Sequence, residues 1–414
     1  MSRIDDLIAK LCPKGVEFKE LGELGELVRG NGMPKSDFGD SGVGCIHYGQ
    51  VYTHYGVWAK ETISYISEEK AQKLAKVDPG DLIITNTSEN VEDVCKAVAW
   101  LGEAPIVTGG HATVLKHDQD PKYLSYYLCT SYFFAEKKKY ALGAKVVDVS
   151  AKNLAKIKIP VPPLEVQRAI VKVLDAFTEL EAELEAELEA RRRQYQYYRD
   201  ALLSFEGGED VLEMALGDVI TALRTGLNPR QNFNLNPNDA KNWYVTVREL
   251  DGFNVRISDR TDRVNDIGLD LIQNRSKLQI GDVLFSGTGT IGRTALITET
   301  PTNWNVKEGI YVITPNVNYI NARFLVYLLH SSNTRNQILA QADGSTVVSI
   351  PMAALRKIRI PVPPLSEQAR IVAILDTFDA LVNDLTSGLP AEIAARRTQY
   401  AHYRDRLLTF REAA

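Results

Sequence analysis

Two stretches of the chain carry the hydrophobic stripe of a long helix. In the first, Ile170, Leu174 and Phe177 follow one another at intervals of 4 and 3 residues, the spacing that places side chains on one helix face. A Pro-Val-Pro-Pro sequence precedes each stretch. Because proline is excluded from a helix interior, we expect the first helix to begin near Leu164. Continued to Phe205, it would be about 60 Å long at 1.5 Å per residue.

The chain is an internal tandem repeat. Residues 154–164 read LAKIKIPVPPL and residues 355–365 read LRKIRIPVPPL, an offset of 201 in the numbering. The helix ends also match, because Tyr-x-x-Tyr-Arg-Asp-x-Leu-Leu-x-Phe begins at both Tyr195 and Tyr400, an offset of 205. A repeat that keeps register over such distances predicts two copies of one structural plan.

The second copy departs from the first within its helix. It has gained four residues between Phe378 and Arg396, which is about one helical turn. It also contains Gly388 and Pro390, two residue types that disfavour a helix interior. We therefore expect a break or kink there, and helices of unequal length.

Two modules of mixed α and β structure precede the helices. In each, a Gly-Asp pair opens an apolar run, 81–85 and 282–286, that predicts a strand after a turn. Short amphipathic helices are predicted over 123–134 and 322–339. These elements indicate two globular lobes rather than one extended helical protein.

The predicted fold class is α+β, with two mixed α/β modules joined by two long antiparallel coiled-coil helices in an internal pseudo-two-fold duplication. A narrow stripe is typical of a coiled coil, and a helix of about 40 residues is longer than a small domain covers. The alternative is that each helix packs in the core of its own module. The expected boundaries are 1–151 for the first module with its N-terminal segment, 152–207 for the central helix, 208–352 for the second module and 353–414 for the C-terminal helix.

The central helix contains a short repeat, Glu-Ala-Glu-Leu, over 181–184 and again over 185–188. Its residues favour a helix, but glutamates four residues apart repel each other. We expect this face to lie in water, the alternative being contact with a basic partner. It is not a surface for DNA phosphates.

The bulk composition restricts the partners and the compartment. The chain has 414 residues and a net charge of −5, so any DNA contact has to come from local basic loops or from a basic partner. Its four cysteines form no Cys-x-x-Cys pair, which argues against a zinc ribbon and suits a reducing cytoplasm. The polar start and the lack of an apolar run of about 18 residues predict neither a signal peptide nor a membrane span. We expect a cytoplasmic protein.

One glycine motif imitates a dinucleotide-binding loop. Residues 287–292 read GTGTIG after a predicted strand, but residues 293–298 resemble another strand instead of the helix that such a loop requires. We interpret the motif as a hairpin, the alternative being the cofactor loop of an oxidoreductase. The sequence contains no P-loop, H-E-x-x-H or G-x-S-x-G motif, and no histidine has a metal-ligand partner at helical spacing. No catalytic residue, metal site or cofactor is predicted in this chain.

Polar and basic loop residues are the candidates for DNA contact. Arginine and lysine recognise guanine, and asparagine and glutamine recognise adenine, by paired hydrogen bonds in the major groove. Lysines more often contact phosphates only, and for every candidate the alternative is an ordinary solvated loop side chain. The candidates in the first module are Asn31, Lys35, His47, Gln50, Asn86, Thr87, Asn90 and Lys145. Those in the second module are Arg224, Asn228, Arg230, Arg248, Arg275, Ser286, Thr288, Thr290, Arg293 and Lys307.

Two of these candidates in the second module have a basic counterpart in the first. Arg224 matches Arg29, and Arg230 matches Lys35, at an offset of 195. We expect matched residues to do the same task in both modules, such as contact with the DNA backbone. The unmatched loops would then discriminate between sequences, so the modules would recognise different half-sites.

Several of these motifs together resemble the specificity subunits of type I restriction–modification systems. They are the doubled Ile-Pro-Val-Pro-Pro-Leu with its following glutamine, the Gly-Asp strand, the Gly-Thr-Ile-Gly-Arg hairpin and the Tyr-Arg-Asp helix end, and they cover nearly the whole chain. The Glu-Ala-Glu-Leu repeat resembles the central helix of the group in which such repeats adjust half-site spacing. One further repeat would lengthen the helix by about 6 Å.

The resemblance implies a non-catalytic subunit whose two target-recognition domains read the halves of a bipartite, asymmetric site in double-stranded DNA. Its helices would set the spacing and dock two methyltransferase subunits, with restriction subunits joining the full complex. Adenine methylation with S-adenosylmethionine, and the steps that need ATP and Mg, would belong to those partners. The competing interpretation is a coiled-coil scaffold whose modules bind protein and have no DNA sequence preference.

Overall fold

The chain divides into two compact units that combine different parts of the sequence. The computed structural model describes residues 2–143, 145–205, 211–229, 232–344 and 347–413. The first unit consists of 1–185 and 393–414, and the second consists of 186–392. Each unit thus contains one module together with segments of both long helical regions.

The first unit is built from short strands and helices that precede one long helix. The strands are β1 (Phe18–Glu20), β2 (Gly25–Arg29), β3 (Val43–Ile46), β4 (Trp58–Ala59), β5 (Ser64–Ile66), β6 (Ala75–Val77), β7 (Leu82–Thr85), β8 (Thr87–Ser88), β9 (Ala97–Trp100), β10 (Ile106–Thr108), β11 (Ala112–His117), β12 (Val147–Asp148) and β13 (Lys158–Pro160). The helices are α1 (Ser2–Leu11), α2 (Leu21–Leu24), α3 (Tyr48–Thr53), α4 (Glu68–Ala71), α5 (Pro121–Tyr127), α6 (Ser131–Lys138), α7 (Ala151–Leu154) and α8 (Leu164–Leu202), of which α8 continues into the second unit.

A five-stranded sheet with the order β2-β11-β7-β9-β4 forms the centre of the first unit. Leu82 and Ile84 of β7 belong to the core that α5 and α8 cover, whereas Ile83 belongs to the core on the other face. Successive strand residues point to opposite faces, so an uninterrupted apolar strand fits a sheet that is covered on both sides. The predicted strand after the Gly-Asp turn is therefore confirmed.

A second sheet of the first unit has the order β5-β3-β10-β6. Its strands β3 and β10 run parallel, with Cys45 opposite Val107 and Ile46 opposite Thr108. The carboxyl ends of both strands therefore lie side by side, and the residues that follow them meet at one edge of this sheet.

The second unit repeats this plan with its own elements. The strands are β14 (Leu212–Ala215), β15 (Ile220–Thr225), β16 (Asn242–Val245), β17 (Leu250–Asp251), β18 (Asn254–Val255), β19 (Arg263–Val264), β20 (Val283–Ser286), β21 (Thr294–Leu296), β22 (Trp304–Val306), β23 (Ile310–Pro315) and β24 (Arg359–Val362). The helices are α9 (Asp266–Arg275), α10 (Ala322–His330), α11 (Ser332–Ala340), α12 (Met352–Leu355), α13 (Leu365–Asn383) and α14 (Leu389–Leu407), of which α14 continues into the first unit. The sheets have the orders β15-β23-β20-β21 and β19-β16-β22, and β16 runs parallel to β22 as β3 does to β10.

The long helices follow the predicted pattern, including the break. Helix α8 has 39 residues and begins at Leu164, as predicted, but it ends at Leu202, short of Phe205. In the second copy α13 ends at Asn383 and α14 begins at Leu389. Gly388 lies at this break, where a Cβ atom would stand 2.4 Å from the carbonyl oxygen of Ala380, so only glycine fits there.

In the first unit, α8 pairs with α14. The rings of Phe177 and Tyr403 stack with centroids 5.5 Å apart, and Arg397 Nε donates to Glu181 Oε1 at 2.5 Å. Residue numbers rise along one helix as they fall along the other, so the two segments are antiparallel. Arg397 also pairs with Glu185. The glutamate face is mostly exposed, as expected, and Glu181 and Glu185 also pair with a basic residue of this chain.

In the second unit, α8 pairs with α13. The rings of Tyr198 and Phe378 stack at 5.5 Å, and they occupy the repeat positions of Tyr403 and Phe177. The alternative, packing within the own module, also holds in part. Leu174 is fully buried in the core of the first unit together with residues of the sheet. The long helix α8 therefore packs against its own module and against a partner helix.

The short helices predicted over 123–134 and 322–339 are each two helices. In the first module Thr130 is the N-cap of the second helix, α6, and its hydroxyl accepts from the backbone N–H of Phe133 at 3.2 Å. Ser331 does the same in the other pair with Thr334 at 3.4 Å. An N-cap hydroxyl satisfies the first amides of a new helix, so the chain turns at these residues. The prediction of one continuous helix was wrong in both modules.

The glutamine after each doubled proline motif is a structural residue. Gln167 is fully buried; its amide donates to Pro162 O at 2.7 Å and accepts from the backbone N–H of Asp120 at 3.0 Å. Gln368 repeats this with Pro363 O at 2.8 Å and the N–H of Asn321 at 2.8 Å. A buried amide with satisfied hydrogen bonds fixes the start of each helix against its module.

Candidate nucleic-acid interface

A cleft of about 410 Å³ opens at one edge of the second unit. It lies where the parallel strands β16 and β22 end, next to the turn that follows β20. The cleft is lined by Thr246, Val247, Arg248, Asp262, Thr288, Lys307, Glu308, Gly309 and Ile310. Three predicted contact residues, Arg248, Thr288 and Lys307, are thereby brought to one place, although they are far apart in the sequence.

Arg248 is held from one side within this cleft. Its Nη2 donates to Asp262 Oδ2 at 3.1 Å and its Nε donates to Thr246 Oγ1 at 3.3 Å. Asp262 is fixed in turn, because its Oδ1 accepts from Asn236 Nδ2 at 2.9 Å. The Arg248 side chain is nevertheless 58% exposed. A guanidinium that is oriented before binding and still exposed is suited to paired hydrogen bonds with a ligand.

A tight turn places Arg248 at the mouth of the cleft. The backbone N–H of Thr246 donates to Glu249 Oε2 at 2.8 Å, and the Thr246 hydroxyl accepts from the N–H of Arg248 at 3.4 Å. This reciprocal pattern is a capping box. Glu249 is buried, so the turn is anchored to the interior of the unit.

The first unit has the same turn at the corresponding place. The backbone N–H of His47 donates to Gln50 Oε1 at 2.9 Å, and His47 Nδ1 accepts from the N–H of Gly49 at 3.1 Å. Both turns follow the first of two parallel strands, β3 here and β16 in the second unit. Gly49 therefore occupies the position that Arg248 has in the second unit.

Aromatic and imidazole rings surround this turn in the first unit. The Tyr48 ring lies 4.4 Å from that of His47 and 4.7 Å from that of His111. Thr87 joins the group, since its Oγ1 lies 3.0 Å from His111 Nδ1 and its carbonyl accepts from Tyr52 Oη at 2.7 Å. The two units thus offer different chemistry at the same position, aromatic and imidazole rings in one and charged groups in the other.

His47 is largely buried and stays neutral near pH 7. Burial lowers its pKa, and the nearby charges of Lys35 and His111 lower the pKa further. His47 and Gln50 use their polar atoms in the turn, and Gln50 Nε2 donates to Ser64 Oγ at 2.6 Å. His47 is buried and its Nδ1 supports the turn, which corrects the prediction that it contacts DNA. Gln50 is half-buried, and its contact with DNA stays a prediction. Lys35 is exposed.

Asn86 and Ser286 are interior residues, and their prediction as DNA contacts is wrong. Asn86 is fully buried, donates to Val149 O at 2.9 Å and accepts from Thr113 Oγ1 at 2.9 Å. Ser286 is fully buried, and its hydroxyl accepts from the N–H of Arg293 at 2.8 Å. Both side chains make these hydrogen bonds to other groups inside the fold.

Arg224 is also a structural residue. Its Nη2 donates to Asp282 Oδ2 and to Thr314 Oγ1, both at 2.8 Å, and the Asp282 side chain is fully buried. A buried carboxylate needs a nearby cation. The predicted contact of Arg224 with DNA is therefore corrected to an internal ion pair.

The glycine motif is a hairpin, as predicted. Strand β20 pairs antiparallel with β21, so no helix follows the glycines. Gly289 and Gly292 have φ values of +77° and +92°, which glycine adopts without strain. The exposed side chain of Thr290 lies in the loop between these strands, and Arg293 Nη1 donates to Val247 O beside the cleft at 3.4 Å.

The other predicted contact residues are placed as follows. Asn228 Nδ2 donates to Glu308 Oε2 at 2.9 Å, at the border of the cleft. Asn31 and Asn90 are exposed and bond to Lys73 O at 2.7 Å and Asp93 Oδ2 at 2.8 Å. Two exposed residues lie away from the cleft lining, Lys145 and Arg275. Arg230 lies outside the described residues.

Sequence reasoning missed the turn that both units share. Thr-x-x-Glu over 246–249 and His-x-x-Gln over 47–50 stand 199 residues apart, and this spacing is a capping-box signal. It would have placed the predicted Arg248 on a capped turn and drawn attention to Gly49 at the matching position. It would not have revealed Asp262 or His111, which arrive from other elements.

Among the described residues, no group of three or more His, Cys, Asp or Glu side chains is arranged to hold a metal ion. No helix in that part of the chain is both long enough and apolar enough to cross a membrane.

Known proteins are similar in sequence to most of this chain. A type I restriction enzyme specificity subunit of Haemophilus influenzae, S.HindORF215P, is 33% identical over 314 residues, covering 72% of this chain and 75% of the relative. The EcoR124I/EcoR124II specificity subunit of Escherichia coli is 32% identical over 269 residues, covering 62% of this chain and 64% of the relative.

Solved structures show the same fold. A chain from a structure that concerns complex assembly and conformational transition of the type I R-M system has a TM-score of 0.65 at 18% identity, covering 96% of this chain and 98% of that one. The S subunit of a type I restriction-modification system from M. genitalium has a TM-score of 0.50 at 13% identity, covering 95% and 96%.

The family assignment rests on the sequence itself. A family model for the type I restriction modification DNA specificity domain matches residues 13–190 and again residues 208–395. These two matches include both modules and most of both helical regions. The chain therefore belongs to the type I restriction–modification specificity subunits and carries two DNA specificity domains.

Proposed function

We propose that each unit reads one half of a bipartite, asymmetric DNA site at the strand-end surface described above. The observation that carries this proposal is the equivalence of the two turns, since Gly49 with its rings and Arg248 with its charges occupy one position on two copies of a fold. Equal scaffolds with unequal side chains are what two different half-sites require.

The charge distribution supports contact through these local surfaces. The net charge is −5, so the chain as a whole does not attract phosphates. Arg248 and Lys307 nevertheless stand exposed beside one cleft, and Lys35 stands near the corresponding turn. DNA binding would then depend on a few positioned groups and on basic partners.

The helices are proposed to set the half-site spacing and to dock two methyltransferase subunits, with restriction subunits in the full complex. Tyr197 on α8 supports a protein contact, because its side chain is 70% exposed and large exposed rings are enriched at protein interfaces. Adenine methylation with S-adenosylmethionine, and the steps that use ATP and Mg, are assigned to those partners. This chain would contribute recognition without catalysis.

Co-expression with the methyltransferase subunit tests the proposal. Adenine methylation is mapped across the host genome with and without this chain. We expect a split sequence motif with a fixed gap that appears only when this chain is present. Methylation that is unchanged by this chain, or that shows no sequence preference, would support the protein-binding scaffold instead.

A further inference from the structure

We infer that Arg248 reads a guanine in the half-site that the second unit binds, an inference that rests on the proposed function. Guanine offers two acceptors, O6 and N7, on its major-groove edge, and a planar guanidinium can donate to both. Arg248 is the cleft residue with this geometry, and its exposure of 58% leaves it accessible.

The hydrogen bonds of Arg248 leave the required donors available. A guanidinium carries one N–H on Nε and two on each Nη. Nε is used by Thr246 and one Nη2 donor by Asp262. Within the described contacts, each Nη therefore keeps an N–H for a base. Because Asp262 and Thr246 already restrict the side chain, little further conformational freedom is lost when DNA binds.

The charges around the cleft favour a base over a phosphate. Arg248 and Lys307 share the lining with two carboxylates, Asp262 and Glu308. These carboxylates offset the attraction of the cations for a phosphate, whereas the edge of a base pair carries no net charge. Glu308 adds an acceptor of the kind that a cytosine amino group requires, so a guanine–cytosine pair suits the whole cleft.

The first unit has glycines at the positions that match Arg248 and Lys307. Gly49 stands where Arg248 stands, as the shared turn shows. Gly109 corresponds to Lys307, since Gly109 accepts from the N–H of Ala112 at 3.2 Å and Lys307 accepts from the N–H of Ile310 at 3.1 Å. Only one half-site is therefore expected to depend on an arginine at this place.

Methylation mapping of variants in the complete complex tests the inference. Arg248→Met keeps the apolar stem and removes the guanidinium, and Arg248→Ala removes both. We expect the preference for guanine at one position of one half-site to fall roughly tenfold to hundredfold in either variant. The other half-site and the gap should stay as in the wild type. Arg335→Ala is the matched control, because Arg335 is exposed on α11 of the same unit, outside the cleft lining and not among the predicted contacts, and it should leave the motif unchanged.

The outcomes separate this inference from the proposed function. A wild-type complex without a split motif would refute the proposed function itself. A wild-type split motif that keeps its guanine in both Arg248 variants, or that has no guanine in either half, would overturn only the inference. A substitution that prevents assembly would abolish all methylation. In that case Asp262→Asn, which removes the charge that holds Arg248, is expected to weaken the same guanine preference, and an unchanged preference would overturn the inference.

Discussion

At the scale of single residues, the buried carboxylate after each Gly-Asp turn shows why a basic residue is hard to interpret from sequence. Asp282 takes its cation from Arg224 on β15, whereas Asp81 takes its cation from Lys116 on β11 at 2.9 Å. The partner comes from a different strand in each unit. Pairing across such separations depends on the fold, so sequence alone could not distinguish the structural Arg224 from the exposed Arg248.

Arg224→Met should destabilise the second unit without changing recognition. Removing the cation leaves the buried Asp282 unpaired, which costs about 3–5 kcal/mol. Urea denaturation measures the loss in the free energy of unfolding, and amide exchange in 211–344 shows whether the second unit is the part affected. The double variant Arg224→Met/Asp282→Asn should recover part of it. A shifted methylation motif in a folded Arg224→Met complex would contradict the structural role.

His330 should make the second unit sensitive to mild acid. Burial lowers its pKa to about 4, and Arg199 and Arg335 add to the effect. A histidine in the unfolded chain has a pKa near 6.5. Between that pH and about 4, His330 is therefore protonated in the unfolded state and neutral in the folded state. Stability is therefore complete above pH 6.5 and is lost as the pH falls toward 4, by roughly 3 kcal/mol. Denaturation between pH 7 and 4.5 should show this loss, and His330→Asn should abolish it. Cys129 holds the matching position in the first unit.

At the scale of elements, the doubled Tyr-Arg-Asp sequence at the helix ends has a local explanation. Asp200 accepts from the backbone N–H of Ser332 at 3.1 Å and from its hydroxyl at 2.6 Å, so it holds the first turn of α11. Asp405 accepts from the N–H of Ser131 at 3.3 Å and does the same for α6. A carboxylate at a helix start is favoured by the unpaired amides and the helix dipole.

Asp200→Asn should loosen α11 in the second unit. Burial raises the pKa of Asp200, but the hydrogen bonds from Ser332 and the charge of Arg199 outweigh it, so the folded pKa is lowered. The stabilisation is thus present above the unfolded pKa and is lost as the pH falls through the folded one. The variant should cost about 1–2 kcal/mol near pH 7, seen as faster amide exchange in 332–340. Asp405→Asn, with one longer bond, should cost less. Equal losses would contradict this account.

At the scale of the whole molecule, the repeat predicted the duplicated plan, the helix pairing and the break near Gly388. It could not predict the composition of the units, because a sequence repeat does not say which helix segment packs on which module. Asn86, Ser286 and Arg224 were misplaced for a related reason. Loop polarity does not reveal whether a side chain faces water or a partner from another strand.

Deleting Glu185–Leu188 should change the gap of the recognised motif and neither half-site. The deletion shortens α8 by about 6 Å, on the order of one to two base pairs of DNA rise. Methylation mapping measures the gap directly. Arg397→Ala is the control for lost ion pairs. It removes the pairing with Glu181 and Glu185 without altering helix length, and it should leave the gap unchanged. A changed half-site with an unchanged gap would contradict the prediction.

The capped turn that carries Gly49 in one unit and Arg248 in the other bears on how such a protein can evolve. Its backbone is fixed by His47 with Gln50 and by Thr246 with Glu249, and the cap uses the backbone N–H of Gly49 or Arg248 rather than a particular side chain at that position. Under the proposed function, a point mutation at this position would change the recognised sequence without exchange of a whole domain.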